Sequence, residues 1–147
     1  MKLLIELPTW LGDAVMATPA IENIIHHYPS SEISLIGSSD SFKVLKHHPK
    51  VNKIYFIKKN FFSTLRTVIS IDEFDVFFSF RGSLRSQFIK ILVPAKKKFQ
   101  FNHKKYLNRH QVEKYNSFIN DSLNINSFPK KLVLHKPKVK KNIKLVK

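Results

Sequence analysis

Residues 3 to 21, LLIELPTWLGDAVMATPAI, constrain the fold more than any other stretch of the chain. The run Leu3-Leu4-Ile5, ending near Leu7, has the continuous apolar character of a strand buried on both faces of a sheet. Pro8 lacks an N–H and stops further sheet pairing, so Pro8 to Asp13 reads as a loop. From Asp13 onward Val15, Met16, Ala20, Ile21, Ile24 and Ile25 recur at helical spacing, and Pro19 in their midst predicts a kink or a break. The unit is strand, loop, helix, with one carboxylate at its mouth, where α/β proteins hold ligands. Two readings of Asp13 stay open at this point: an N-cap accepting backbone N–H bonds, or an acid that serves a ligand. Gly12 beside it has no Cβ and lets another molecule approach the backbone closely.

The alternation continues along the chain. Residues 32–36 read as a second strand ending at Gly37, and Ser38-Ser39-Asp40 can cap a short helix through Leu45. Residues 53–57 form a third strand, 61–71 a helix, 75–80 a fourth strand and 83–92 the next helix. A short fifth strand is expected at 98–101 and a last helix at 109–123. Strands separated by helix-length segments imply an α/β protein with a parallel sheet, right-handed crossovers and helices on both faces. The three glycines, Gly12, Gly37 and Gly82, follow the first, second and fourth strands. All three then fall on the carboxyl edge of the sheet, where open parallel sheets bind ligands; strand-to-helix turns also need glycine for conformational reasons alone.

A chain of 147 residues with 43% apolar content and 13 Phe suffices for a single core, and Phe61-Phe62 and Phe77-Phe78 are most simply part of it. No apolar run approaches the roughly 18 residues that span a bilayer, and the amino terminus has no uninterrupted signal-like core. The expected location is cytoplasmic. The absence of cysteine excludes disulfides, thiolate catalysis and Cys-ligated metals. G-x-G-x-x-G and the P-loop pattern do not occur, so a bound phosphate needs another cradle. No Asp-x-Asp pair is present, and no metal or cofactor is indicated.

Charge is distributed unevenly. Residues 1–75 hold eight Lys/Arg and eight Asp/Glu, whereas residues 76–147 hold eighteen Lys/Arg and only Glu113 and Asp121, so the whole net charge of +16 lies in the second half. Such a field attracts polyanions or an anionic membrane surface; an AT-rich genome that scatters lysines over solvated faces would give the same composition. Arg81 and Arg85 flank Gly82 after the fourth strand, where guanidinium groups can clamp a phosphate or carboxylate bidentately. Lys96-Lys97-Lys98 sits beside a strand, where lysines usually protect an edge.

The residues PTWLGDAVMATPAI resemble the first strand, loop and helix of the ADP-heptose:lipopolysaccharide heptosyltransferases, bacterial glycosyltransferase family 9. Phe80-Arg81-Gly82-Ser83-Leu84-Arg85-Ser86 resembles the family's Ser/Arg-rich turn after its fourth strand, and His110-Gln111-Val112-Glu113-Lys114-Tyr115 resembles its H-x-x-E-x-Y helix start. The resemblance implies the first half of a GT-B enzyme: a Rossmann-like acceptor-side domain over 1–128, then a Lys-rich tail over 129–147 leading toward a donor-binding domain that does not follow Lys147. It implies that Asp13 is the catalytic base of a metal-independent, inverting transfer of heptose from ADP-heptose. Gly12, Arg81 and Arg85 then serve the acceptor or its phosphates, and the acceptor is the phosphorylated lipopolysaccharide inner core at the inner face of the cytoplasmic membrane. A base at a helix start works if proton transfer comes late, when the sugar carries oxocarbenium character and the hydroxyl has become acidic.

A truncated heptosyltransferase is the leading expectation, with three origins open: a truncated product, a fragment, or one half of a split enzyme whose partner supplies the rest in trans. A catalytically silent acceptor-binding remnant is the alternative, and a basic nucleic-acid-binding module ranks behind because no helix-turn-helix, RRM or zinc pattern accompanies the charge. No nucleic acid is therefore expected as a partner. His26-His27 and His47-His48 read as helix-end and loop residues, and His110 has no derived role. The tail beyond Pro129 is expected either to fray or to add a strand.

Overall fold

The computed structural model describes residues 1–58, 60–135 and, for the backbone, 144–146. Six parallel strands form one sheet: β1 (Lys2–Glu6), β2 (Glu32–Gly37), β3 (Val51–Phe56), β4 (Phe74–Ser79), β5 (Ala95–Gln100) and β6 (Lys144–Val146), in the spatial order β5-β4-β1-β2-β3-β6. The helices between them are α1 (Leu11–His27), α2 (Ser39–Leu45), α3 (Phe61–Ile69), α4 (Leu84–Leu92) and α5 (Gln111–Leu123). The Rossmann-like α/β architecture expected from the alternation is what the chain adopts. Among the described residues no helix is long and apolar enough to cross a membrane.

The pleat of β1 divides the core. Leu3, Ile5 and Leu7 face α1, α2 and α5, together with Phe78, Ile24 and Phe118. Leu4 faces the opposite way, toward α3 and α4, with Phe77, Val68 and Ile89. Both β1 and β4 are buried on both faces, as an unalternating apolar run predicts.

Pro19 does not break α1, which runs unbroken from Leu11 to His27. A proline at this position leaves the carbonyl four residues earlier, that of Val15, without its helical donor. The Thr18 hydroxyl donates to that carbonyl at 2.7 Å, so the adjacent side chain replaces the lost backbone bond. β5 begins at Ala95 and takes in Lys96 and Lys97, which the sequence pattern left outside it. It has a single neighbour, β4, and an edge strand tolerates lysines that a central one would not. Lys96 pairs there with Asp75 at 2.9 Å.

The segment leading into the tail is tied to α1 and α5, and the tail itself is held at Val133. Ser127 and Phe128 accept hydrogen bonds from Asn23 of α1, Ser127 also engages Asn116 and Asn120 of α5, and the Val133 N–H donates to Thr18. β6 then pairs in parallel with β3. Val139 and Ile143 lie outside the described residues.

Candidate functional site

The strand order fixes where a ligand can enter. β1 leads through α1 to β2 on one side, and the chain later returns to β4 on the other. The winding direction switches between β1 and β4, and open parallel sheets bind ligands beyond the carboxyl ends of the strands at such a switch. Two connections lie there: residues 7–10 running into α1, and residues 80–83 running into α4.

On the α1 side, helix assignment begins at Leu11 with Trp10 as N-cap, and no side chain caps it. Asp13 is consequently not the N-cap; it lies in the first turn, half-buried. Among the described residues it takes part in no hydrogen bond and no ion pair. Its charge is felt by Tyr115 on α5, whose hydroxyl is raised well above the ordinary phenol range by burial first and by Asp13 second. Tyr115 is thus a neutral phenol beside Asp13, with the Gln111 side chain also against it. Gly12 precedes Asp13, and a Cβ placed on it would meet nothing within 4 Å. Trp10, which the sequence reading passed over, is 74% exposed at the same mouth. The lone Trp in a loop was the available signal.

The glycines divide on this point. None has positive φ, so a left-handed turn explains none of them. A Cβ on Gly82 would lie 3.2 Å from the Phe101 carbonyl oxygen, and one on Gly37 would lie 3.0 Å from the Ser41 hydroxyl. Those two are fixed by close internal packing. Only Gly12 opens onto space.

On the α4 side lies a buried polar cluster that sequence reasoning missed. Glu6 and Ser79 are register partners at the ends of β1 and β4, both fully buried. The Ser79 hydroxyl donates to Glu6 Oε2 at 2.6 Å, the Ser86 hydroxyl of α4 donates to the same oxygen, and the two hydroxyls are 2.7 Å apart. Three oxygens thus make three close contacts with only two hydroxyl protons between them. A proton on Glu6 gives each contact its own hydrogen. Burial raises the Glu6 pKa, against the opposing pull of Ser79, Ser86 and the Arg81 charge, and so favours that protonated form. The signal in the sequence was an acid closing an otherwise apolar strand, an expensive residue to bury.

Arg81 reaches over this cluster, with Nη1 3.5 Å from Glu6 Oε1. Its backbone is held too: its N–H donates to Ser79 Oγ at 3.2 Å, and its carbonyl accepts from Gln100 at 3.1 Å. Arg85 turns toward α3, where its guanidinium donates to the Lys58 carbonyl and the Thr64 hydroxyl. Arg81 and Arg85 share one electrostatic neighbourhood, since both charges bear on Glu6 and that of Arg81 on Arg85. The structure therefore sets Arg81 against Glu6 with the Arg85 charge nearby, and Asp13 near Tyr115 on the α1 and α5 side of the sheet.

His110 acquires a role at the start of α5. Its Nδ1 accepts the Val112 N–H, and the Glu113 carboxylate accepts the His110 N–H, forming a reciprocal cap. Behind it, Phe80 and Phe101 pack against Tyr115 and Phe118. The motif resembling H-x-x-E-x-Y thus sets the helix that presents Tyr115 to Asp13.

A second histidine group lies on α1, away from the connections at the switch. Glu22, His48 and His135 offer ligand atoms within 4.8 Å of one another, and His48, read from sequence as a loop residue, is buried. Its Nδ1 accepts the Lys50 N–H at 3.1 Å. The proton of the neutral ring is then on Nε2, which faces Glu22 at 3.1 Å. A cation at Nε2 would have to displace that proton, so the group reads as a clasp joining α1, the α2–β3 loop and the tail.

No family model matches this chain. It is 38% identical over 138 residues to lipooligosaccharide heptosyltransferase 2 of Campylobacter jejuni serotype O:2, covering 91% of this chain and 42% of that protein. The fold is similar to that of E. coli heptosyltransferase WaaC with ADP, with TM-score 0.72 and 13% identity over 89% of this chain and 50% of that one. It is similar also to a glycosyl transferase family 9 protein from Veillonella parvula, with TM-score 0.73 and 14% identity over 91% of this chain and 45% of that one. The chain spans about half the length of the curated relatives it matches.

Proposed function

We propose that this chain, a homologue of the lipooligosaccharide heptosyltransferases over about half their length, is the acceptor-side domain of an inverting heptosyltransferase. One observation carries the reading: Asp13 stands at the carboxyl edge of the sheet, beside open space over Gly12 and in no ion pair among the described residues. In the proposed reaction Asp13 takes the proton of the attacking acceptor hydroxyl. The oxygen attacks the anomeric carbon of the donor heptose, and the bond from that carbon to the nucleoside diphosphate breaks with inversion. Tyr115 stays neutral beside the carboxylate, since burial and the Asp13 charge both raise the pKa of its hydroxyl.

Arg81 is the group that meets a phosphate on the acceptor. A guanidinium suits that anion because its planar fork matches two oxygens at once, and Glu6 holds it from below. In its protonated form Glu6 does not cancel the Arg81 charge. Arg85 adds positive charge at the same edge, and Gly12 lets the acceptor approach the backbone. Donor recognition by ADP-heptose belongs to a second domain, supplied in the same chain or in trans. A phosphorylated lipooligosaccharide core is anchored in lipid, so the protein works against the inner face of the cytoplasmic membrane.

Titration of the chain with a purified phosphorylated lipooligosaccharide core tests the acceptor assignment. Binding is expected, weakened about tenfold or more by Arg81→Gln and also weakened by dephosphorylating the core. Equal binding by Arg81→Gln, or salt-sensitive retention of oligonucleotides in preference to the core, overturns it.

A further inference from the structure

We infer that the outward face of α3 and α4 is the surface by which this protein lies on an anionic phospholipid bilayer. The two helices are apolar on the side that should meet water. At 100° per residue, Leu84, Phe88 and Ile91 of α4 form one stripe, opposite the buried stripe of Ser86, Ile89 and Val93. α3 repeats the pattern: Phe62, Arg66 and Ile69 point outward, while Thr64, Thr67 and Val68 are buried. Phe62 is 77% exposed and Leu84 75%. Phe61 joins the stripes, its ring 6.3 Å from that of Phe62 and 6.0 Å from that of Phe88. Scattered exposed leucines need no explanation, but a continuous apolar face across two neighbouring helices marks an interaction surface.

The charge around this face selects the occupant. No acidic residue occurs between positions 58 and 71 or between 76 and 112, so α3, α4 and β5 contain none. Arg66 lies within the α3 stripe, Lys90 flanks that of α4, and Lys98 donates to the Ile91 carbonyl at 2.9 Å, at the end of α4. Of the three acids just beyond α3, Asp72 is paired with Lys53 and Asp75 with Lys96, and the charge of Glu73 also bears on Lys96. An apolar surface edged by cations and free of carboxylates fits a sheet of anionic headgroups over acyl chains. A protein partner of ordinary mixed charge would find no carboxylate here to pair with. The inference deepens the proposed reading, whose acceptor is lipid-anchored, and depends on it only for which membrane is meant.

Co-sedimentation of the full chain with phosphatidylcholine vesicles, with and without phosphatidylglycerol, tests it without any glycolipid acceptor, so a failure here is separate from a failure of the transfer reading. Pelleting with the anionic vesicles is expected, with little on phosphatidylcholine alone and release as sodium chloride is raised. The double variant Phe88→Gln with Ile91→Gln is expected to lower partitioning about tenfold or more, with its thermal unfolding unchanged. A single Leu84→Gln variant gives a smaller loss in the same direction. Absence of pelleting with anionic vesicles overturns the assignment, as does equal pelleting by parent and double variant. A concentration-dependent dimer that the double variant abolishes, with no vesicle binding, overturns it in favour of a second copy.

Discussion

The two faces of the sheet are built from the same strands and covered in different ways. On one face α1 has 17 residues and α5 has 13, and their seam is tied by buried amides, with Asn23 donating to Asn116 at 2.7 Å and to Ser127 at 3.0 Å. On the other face α3 and α4 have nine residues each and turn apolar side chains outward as well as inward. The first face is finished by its own polar network, whereas the second leaves Phe62, Leu84, Phe88 and Ile91 exposed among the described residues. Each face also contributes one half of the candidate site: Asp13 with Tyr115 from the first, Arg81 over Glu6 from the second. In the proposed reading the base and the anion-binding guanidinium therefore come from opposite faces of the sheet.

The largest expected difference between the faces is in stability. Phe78→Ala, in the core beneath α1 and α5, is expected to cost about 3–5 kcal/mol. Phe88→Gln on the outward side of α4 should change stability by no more than about 0.5 kcal/mol. Urea unfolding of both variants measures this, and comparable losses would show that the α4 stripe is packed rather than presented. Next comes Glu6→Leu, which leaves the Ser79 and Ser86 hydroxyls without their buried acceptor and should cost about 2 kcal/mol.

The two faces should also answer pH in opposite senses. Burial raises the pKa of Glu6 in the folded state, so its contribution to stability is fully present below the ordinary glutamate value and is lost as pH rises through the folded one. Glu22 is lowered, chiefly by its hydrogen bond to His48. Its contribution is present above the ordinary value and is lost as pH falls through the folded one. Stability measured against pH for Glu6→Gln and Glu22→Gln should flatten the alkaline-side and acid-side slopes respectively. A Glu6→Gln profile that keeps the parent slope would contradict a buried, proton-holding Glu6. Thr18→Val is expected to cost about 1 kcal/mol, from restoring the unpaired Val15 carbonyl beside Pro19.

The fold was legible because its signals are local. Apolar runs and the single loop glycines each act within a few residues, and the ends of β1, β2 and α4 fall close to where those signals place them. What was not legible depended on distant partners. Glu6 meets Ser79 and Ser86 across 73 and 80 residues, and His48 meets Glu22 across 26, so periodicity could not pair them. Asp13 was found from its motif, but its position two residues inside the helix depended on Trp10 taking the cap. The arginines were read as one clamp because both follow β4; their separation arises from α4 carrying Arg85 one turn onward, to Lys58 and Thr64.

The central proposal is that Asp13 is the proton acceptor. Heptose transfer from ADP-heptose to a phosphorylated lipooligosaccharide core, by this chain combined with the donor-side domain of a relative, measures it most directly. The account predicts transfer by the parent and a loss of at least about a hundredfold for Asp13→Asn, with unchanged folding and acceptor binding. Transfer by Asp13→Asn at the parent rate would contradict it.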